Sequence, residues 1–255
     1  MSLLEFVLLV LAGFGGGLAG SIAGLASLVS YPALLAAGIP PVTANVTNTV
    51  ALTLSSVGAV SASGPELTGQ RRRLLRLGAA AAVGGAAGAA LLLLTPSAAF
   101  ERVVPWLIGG ASVLMLVQRP AAEMAAEGMS AHPDHRDPSW LPLGTAAVGV
   151  YGGYFGAAAG VLLLAMFLLA TGEGLPRSNA IKNVVLGVAN GVAALAYVVL
   201  TPIAWSAALP LAIGLFIGAR LGPRVVRRAP QTALRRLIAL AGLALAIRLG
   251  IQAYT

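Results

Sequence analysis

Residues 13–24 read GFGGGLAGSIAG, and residues 149–160 read GVYGGYFGAAAG, so a glycine-rich segment occurs twice at a spacing of 136 residues. Five of the twelve aligned positions pair glycine with glycine. Downstream, the same spacing pairs Gly38 with Gly174, and a spacing of 134 pairs Gly84 with Gly218 and Pro96 with Pro230. The chain is therefore predicted to consist of two copies of one unit.

The composition predicts an all-α integral membrane protein. Hydrophobic residues make up 58% of the 255 positions and charged residues 9%, with a mean hydropathy of +0.90, whereas soluble domains carry about 25% charged residues. Apolar runs at 77–94, 184–200 and 237–251 approach the roughly 20 residues that cross a bilayer. The lipid bilayer is thus a predicted partner, and a soluble enzyme is excluded.

The apolar runs divide the chain into a first repeat (1–117), a connector (118–141) and a second repeat (142–255). Each repeat is predicted to hold a glycine-rich broken helix or hairpin followed by three transmembrane helices. The hairpin interpretation rests on the runs 3–18 and 21–38, which are each short for a full span. The connector contains HPDHRDP, which we interpret as a solvated loop, with no metal site.

The distribution of positive charge favours an inverted second repeat. If residues 3–38 enter the membrane and return, 14 of the 16 Lys and Arg residues lie on one side, with only Arg102 and Arg248 opposite. If residues 3–38 cross once, the split is 7 to 9. Because positive residues collect on the cytoplasmic side, the first arrangement is preferred. It places the connector in the cytoplasm and both termini outside, and we expect the inner (plasma) membrane as the location. We therefore read the net charge of +8 as a topology signal and predict no nucleic-acid partner.

Inverted repeats with interrupted helices are typical of transporters, in which half-helix N-termini present free N–H groups to an anionic substrate. The glycines that we expect at such breaks are Gly16, Gly17, Gly20, Gly152, Gly153 and Gly156. The alternative is that these glycines only allow close helix packing.

A helix that opens with polar residues follows each glycine-rich segment. The candidate substrate-binding residues are Asn45, Thr47 and Asn48 in the first repeat and Asn179, Lys182, Asn183 and Asn190 in the second. Polar side chains on a membrane helix are expected to face the protein interior, because lipid leaves them unsatisfied. Two alternatives stay open: interhelical hydrogen bonding for the amides and hydroxyls, and an interfacial, snorkelling position for Lys182.

Catalytic patterns do not emerge from the sequence. It has no Cys, no His within a predicted span and no GxSxG motif. No acid lies deep in a predicted span, so a carboxylate proton relay is not visible either. We predict no enzyme and no cofactor.

These motifs together resemble the TauE/SafE family of membrane transporters, also called sulfite exporters. The resemblance rests on GFGGGLAGSIAG followed by Ala44, Thr47 and Asn48, and on GVYGGYFGAAAG followed by Ala180 and Asn183. It implies movement of sulfite, sulfoacetate or other sulfonates, often as export. Family members usually carry a Thr-Ser or similar pair where this chain has Thr47 and Asn48.

The sequence therefore predicts a carrier for a small anionic substrate that works by alternating access. An interior-negative potential drives a lone anion outward, which favours export. One rival is a channel-like facilitator, and another is a membrane scaffold whose glycines serve packing only. A homo-oligomer is left open.

Overall fold

The computed structural model describes residues 2–132, 137–225 and 231–254, and the ordered secondary structure in these ranges is entirely α-helical. This confirms the predicted all-α class. The helices are α1 (Leu3–Ala23), α2 (Ser27–Ala36), α3 (Pro41–Ser61), α4 (Gly64–Leu67), α5 (Arg71–Leu94), α6 (Ser97–Val117), α7 (Ala121–Ala131), α8 (Leu141–Tyr154), α9 (Ala159–Thr171), α10 (Leu175–Leu200), α11 (Trp205–Val225) and α12 (Gln231–Tyr254).

Within the described ranges, six helices are long and apolar enough to cross a membrane, namely α1, α5, α6, α10, α11 and α12. Their outer faces expose large apolar side chains such as Leu94, Trp106 and Val199, each more than 70% exposed. An apolar outer surface of this extent is stable in lipid and not in water. The chain is a multi-pass membrane protein.

Each glycine-rich segment contains a helix break. Gly24 takes φ +76 and ends α1 before α2 begins at Ser27, while Gly156, at φ +78, separates α8 from α9. In the first copy the break lies later than the predicted boundary at 18–21, because α1 stays helical through the glycines before Gly24. With 21 residues, α1 has the length of a full span, whereas α8 has only 14.

Most glycines of the motif serve close helix packing. A methyl group on Gly13 or Gly17 would overlap backbone carbonyl oxygens of α11, and one on Gly84 or Gly88 would overlap those of α8. Small residues let helix backbones approach to this distance, which is how membrane helices associate. Gly13 and Gly17 therefore serve packing alone, whereas Gly24 both ends a helix and lies in close contact with the other break.

The two halves interlock. The first helix of each half packs on a long helix of the other half, since α1 contacts α11 and α8 contacts α5. In the same way α3 contacts α11 and α10 contacts α5, while α3 pairs with α10 and α6 with α12. Exchanging the halves maps this set of contacts onto itself. The core is thus built from both copies at once.

The connector is more ordered than expected. Its residues 121–131 form α7, which packs on α9 through Met124, Ala125 and Gly128. The predicted loop HPDHRDP includes Asp134 and His135, which lie outside the described residues, as do Arg227 and Arg228 of the second basic loop.

Candidate functional site

A small cavity lies where the two helix breaks meet α3 and α10. Its volume is about 30 Å³, which is room for about two water molecules. The breaks contribute backbone and small side chains, and α3 and α10 contribute hydroxyls and amides. The lining residues are Gly20, Ser21, Gly24, Ala26, Ser27, Thr49, Leu52, Ser55, Ser56, Ala59, Gly152, Phe155, Gly156, Asn183, Leu186 and Asn190.

The polar lining comes in equivalent pairs from the two halves. Thr49 and Asn183 are 134 residues apart, as are Ser56 and Asn190. Gly20 and Gly156 follow the motif spacing of 136. The cavity therefore lies between the two halves and is lined by both of them.

One hydrogen-bond donor of the cavity lining has no protein partner in the described part of the chain. Asn183 is 5% exposed, and its Nδ2 has no hydrogen-bond partner among the described residues. Asn190 is 4% exposed and sits two helical turns further along α10. No acidic or basic side chain of the described chain lines the cavity. A buried amide N–H without a partner is costly, so a ligand oxygen here would be stabilised.

The C-terminal ends of both broken helices are capped from the opposite half. At the end of α1, Lys182 Nζ donates to the Gly20 carbonyl oxygen at 3.1 Å, and Asn179 Nδ2 donates to that of Ser21 at 2.8 Å. At the end of α8, Asn45 Nδ2 donates to the Tyr154 carbonyl oxygen at 2.8 Å. Asn45 and Asn179 are also equivalent at a spacing of 134. The negative ends of the two helix dipoles are thus already occupied.

The first turn of α2 borders the cavity, and its Leu28 and Val29 N–H groups donate to the carbonyl oxygens of Leu25 and Ala26. Its flanking residue Ala26 and first residue Ser27 both line the cavity, and no side chain caps the first turn. The opposite break is closed by backbone contact, since a methyl group on Gly160 at the start of α9 would lie 2.6 Å from Gly24 Cα. With the negative ends of α1 and α8 capped and the positive end of the α2 dipole at the cavity wall, the helix dipoles favour an anion in the cavity.

The predicted site residues fall into three groups. Gly20, Gly152, Gly156, Asn183 and Asn190 line the cavity. Asn45, Asn179 and Lys182 cap the helix ends, and Gly153 accepts a hydrogen bond from the Tyr197 hydroxyl. Lys182 is fully buried and does not extend to a membrane surface.

The third group lies elsewhere in the interior. Thr47 Oγ1 accepts from the Ala204 N–H at 3.1 Å, and Asn48 Oδ1 accepts from the Ser30 hydroxyl at 2.6 Å. Gly17 packs against α11, and Gly16 lies next to Ala26 and Leu215.

Five polar or hydroxyl-bearing lining residues were not among the sequence candidates: Ser21, Ser27, Thr49, Ser55 and Ser56. The spacing of 134 was the available signal, because it aligns Thr49 with Asn183 and Ser56 with Asn190, both of which were candidates. A polar residue in the same place in both copies is a stronger indication than polarity in one copy alone.

A lipid-embedded helical bundle whose broken helices meet at a cavity lined by amides and hydroxyls is typical of membrane transporters. The chain belongs to the sulfite exporter TauE/SafE family, whose family model matches residues 9–249. It is 26% identical over 251 residues to the "Probable membrane transporter protein YfcA" of Escherichia coli K12, covering 96% of this chain and 87% of the relative. The same protein from Escherichia coli O6:H1 and O157:H7 matches equally. No solved structure matches the chain significantly.

Proposed function

We propose that this transporter carries small oxyanions, in particular sulfite, sulfoacetate or other sulfonates, through the cavity by alternating access. The observation that carries the proposal is the unpartnered Asn183 amide in a cavity that borders the N-terminal end of α2 and whose opposing helix ends are capped.

The chemistry of the cavity suits an oxyanion with several acceptor oxygens. Asn183, Asn190, Ser55 and Ser56 offer amide and hydroxyl donors, and the N-terminal end of α2 adds the positive end of its dipole. Hydrogen bonds to a charged acceptor are worth roughly twice those to a neutral one. A cation would meet no carboxylate in this wall. The family name and the resemblance in sequence supply the sulfur-containing substrate class.

Alternating access follows from the size of the cavity and from the repeats. Room for about two water molecules is less than a sulfonate needs, so the substrate requires a wider conformation. The exchange symmetry of the helix contacts supports two structural repeats, and the 14 to 2 charge split supports their inversion. In inverted repeats, each half takes the conformation of the other to open the opposite side. The contact between Gly24 and Gly160 lies between the halves and is a suitable pivot.

The test is saturable flux of sulfite, sulfoacetate and methanesulfonate in proteoliposomes, with acetate as a carboxylate comparison. Asn183→Leu should abolish the flux while insertion and thermal stability are kept. Ser112→Ala, which alters a buried hydroxyl of α6 away from the cavity, is the matched control. Flux by Asn183→Leu equal to that of the parent would refute the site. Flux without saturation would favour a channel, and absence of both flux and thermal stabilisation by sulfonates would favour a scaffold.

A further inference from the structure

Lys182 is a buried basic side chain that the cavity lining does not include. It is 0% exposed and lies on α10 directly before Asn183, which does line the cavity. Its Nζ donates to one carbonyl oxygen, that of Gly20, and Gly20 is itself part of the cavity wall. The ammonium therefore lies behind the cavity wall, within hydrogen-bond distance of a residue that lines the space a substrate would fill.

This ammonium has no counter-ion in the described part of the chain. The ion pairs there involve Arg73, Arg119 and Arg177, and none includes Lys182. Its partner is the C-terminal end of α1, where the carbonyl groups of the last turn attract a cation. Burying an ammonium is unfavourable unless an opposite charge is near. An anion in the cavity would be that charge.

The two halves differ in charge at this position. At the spacing of 134 that relates the polar pairs, Lys182 corresponds to Asn48, which is neutral and hydrogen-bonded to Ser30. The capped end of α8 correspondingly has only the neutral donors Asn45 and Tyr197. One buried basic side chain thus lies beside a cavity whose described lining carries no charged side chain.

We propose that Lys182 sets the charge selectivity of the transporter, so that the cavity accepts small sulfonates with a net negative charge and rejects zwitterions of the same size. Lys182 acts as a specificity-determining residue through its field, and it need not touch the substrate. This inference rests on the proposed function. At an effective dielectric of about 20 and a separation of about 7 Å, one charge pair changes affinity roughly 10- to 100-fold.

Two probes of matched size isolate the charge. In 2-hydroxyethanesulfonate the net charge is −1, and in 2-aminoethanesulfonate an ammonium replaces the hydroxyl and brings the net charge to zero at neutral pH. We expect proteoliposomes with the unaltered chain to show a half-saturating concentration at least tenfold lower for the hydroxy compound. Flux with no preference would overturn the inference and leave the proposed function intact. Saturable flux of neither probe and of none of the other oxyanions would refute the proposed function itself.

Variants then assign the selectivity. Lys182→Gln and Lys182→Met remove the charge, the second with similar apolar volume, and each should reduce the preference to within about threefold by weakening affinity for the anion, with a smaller change in maximal rate. Lys182→Arg should restore it. Arg177→Gln removes another cation of α10 whose side chain is 46% exposed, and should leave the preference unchanged. A preference that survives in a folded Lys182→Gln or Lys182→Met protein would overturn the proposal, as would equal loss in Arg177→Gln.

Discussion

The contact between the two helix breaks can be tested by a comparison of three glycines. Gly24 has both a positive φ of +76 and a close neighbour, because a methyl group there would overlap the backbone of Gly160. Gly38 has nearly the same backbone, at φ +80, with nothing within 4 Å of the added methyl group. Gly160 has the contact and no positive φ. Alanine at each position therefore separates backbone strain from overlap.

The expected losses in the free energy of unfolding follow from backbone strain and from steric overlap. Alanine in the left-handed region costs about 1 kcal/mol, and overpacking of a close contact costs about 1–3 kcal/mol. We expect Gly38→Ala to lower the free energy of unfolding by about 1 kcal/mol, Gly160→Ala by about 1–3 kcal/mol, and Gly24→Ala by about 2–4 kcal/mol as their sum. Because Gly24 and Gly160 face each other, the double variant should depart from additivity.

The assay is thermal unfolding of the purified protein in detergent, followed by tryptophan fluorescence, where about 1 kcal/mol corresponds to a shift of about 2–4 °C for a chain of this size. A Gly24→Ala protein as stable as Gly38→Ala would refute the contact between the breaks. Loss of transport in Gly24→Ala at temperatures well below unfolding would in addition support the role of this contact as a pivot.

Further outcomes are expected elsewhere in the chain. Arg73 bridges Asp137 at 2.6 Å and Glu173 at 3.0 Å with all three side chains under 15% exposed, so Glu173→Gln should destabilise the protein by about 1–3 kcal/mol. Glu127→Gln, which breaks a pair whose side chains are more than half exposed, should change the free energy of unfolding by less than about 1 kcal/mol; equal effects of the two in thermal unfolding would contradict the buried bridge. A topology reporter fused to the C-terminus should give an extracytoplasmic signal, and a cytoplasmic one would return the chain to parallel repeats.

Sequence reasoning was accurate where local rules or bulk composition decide the structure. The membrane class follows from hydropathy, because a bilayer demands long apolar helices whatever their partners. The helix breaks were located to within a few residues, since glycine in the left-handed region ends a helix by a local backbone preference. The repeat was visible because it depends on residue identity alone: Gly24 and Gly160 can be aligned whether or not they are in contact.

The rotation of each polar helix about its axis was decided by the tertiary structure alone. Residues 44–49 of α3 are six consecutive buried positions, so this part of the helix is enclosed on all sides. Periodicity identifies a buried face only when another face is exposed. Nothing local could therefore distinguish Thr49, which lines the cavity, from Thr47, which accepts a hydrogen bond from Ala204. The packing of α3 against helices more than a hundred residues away determined which of its polar side chains line the cavity.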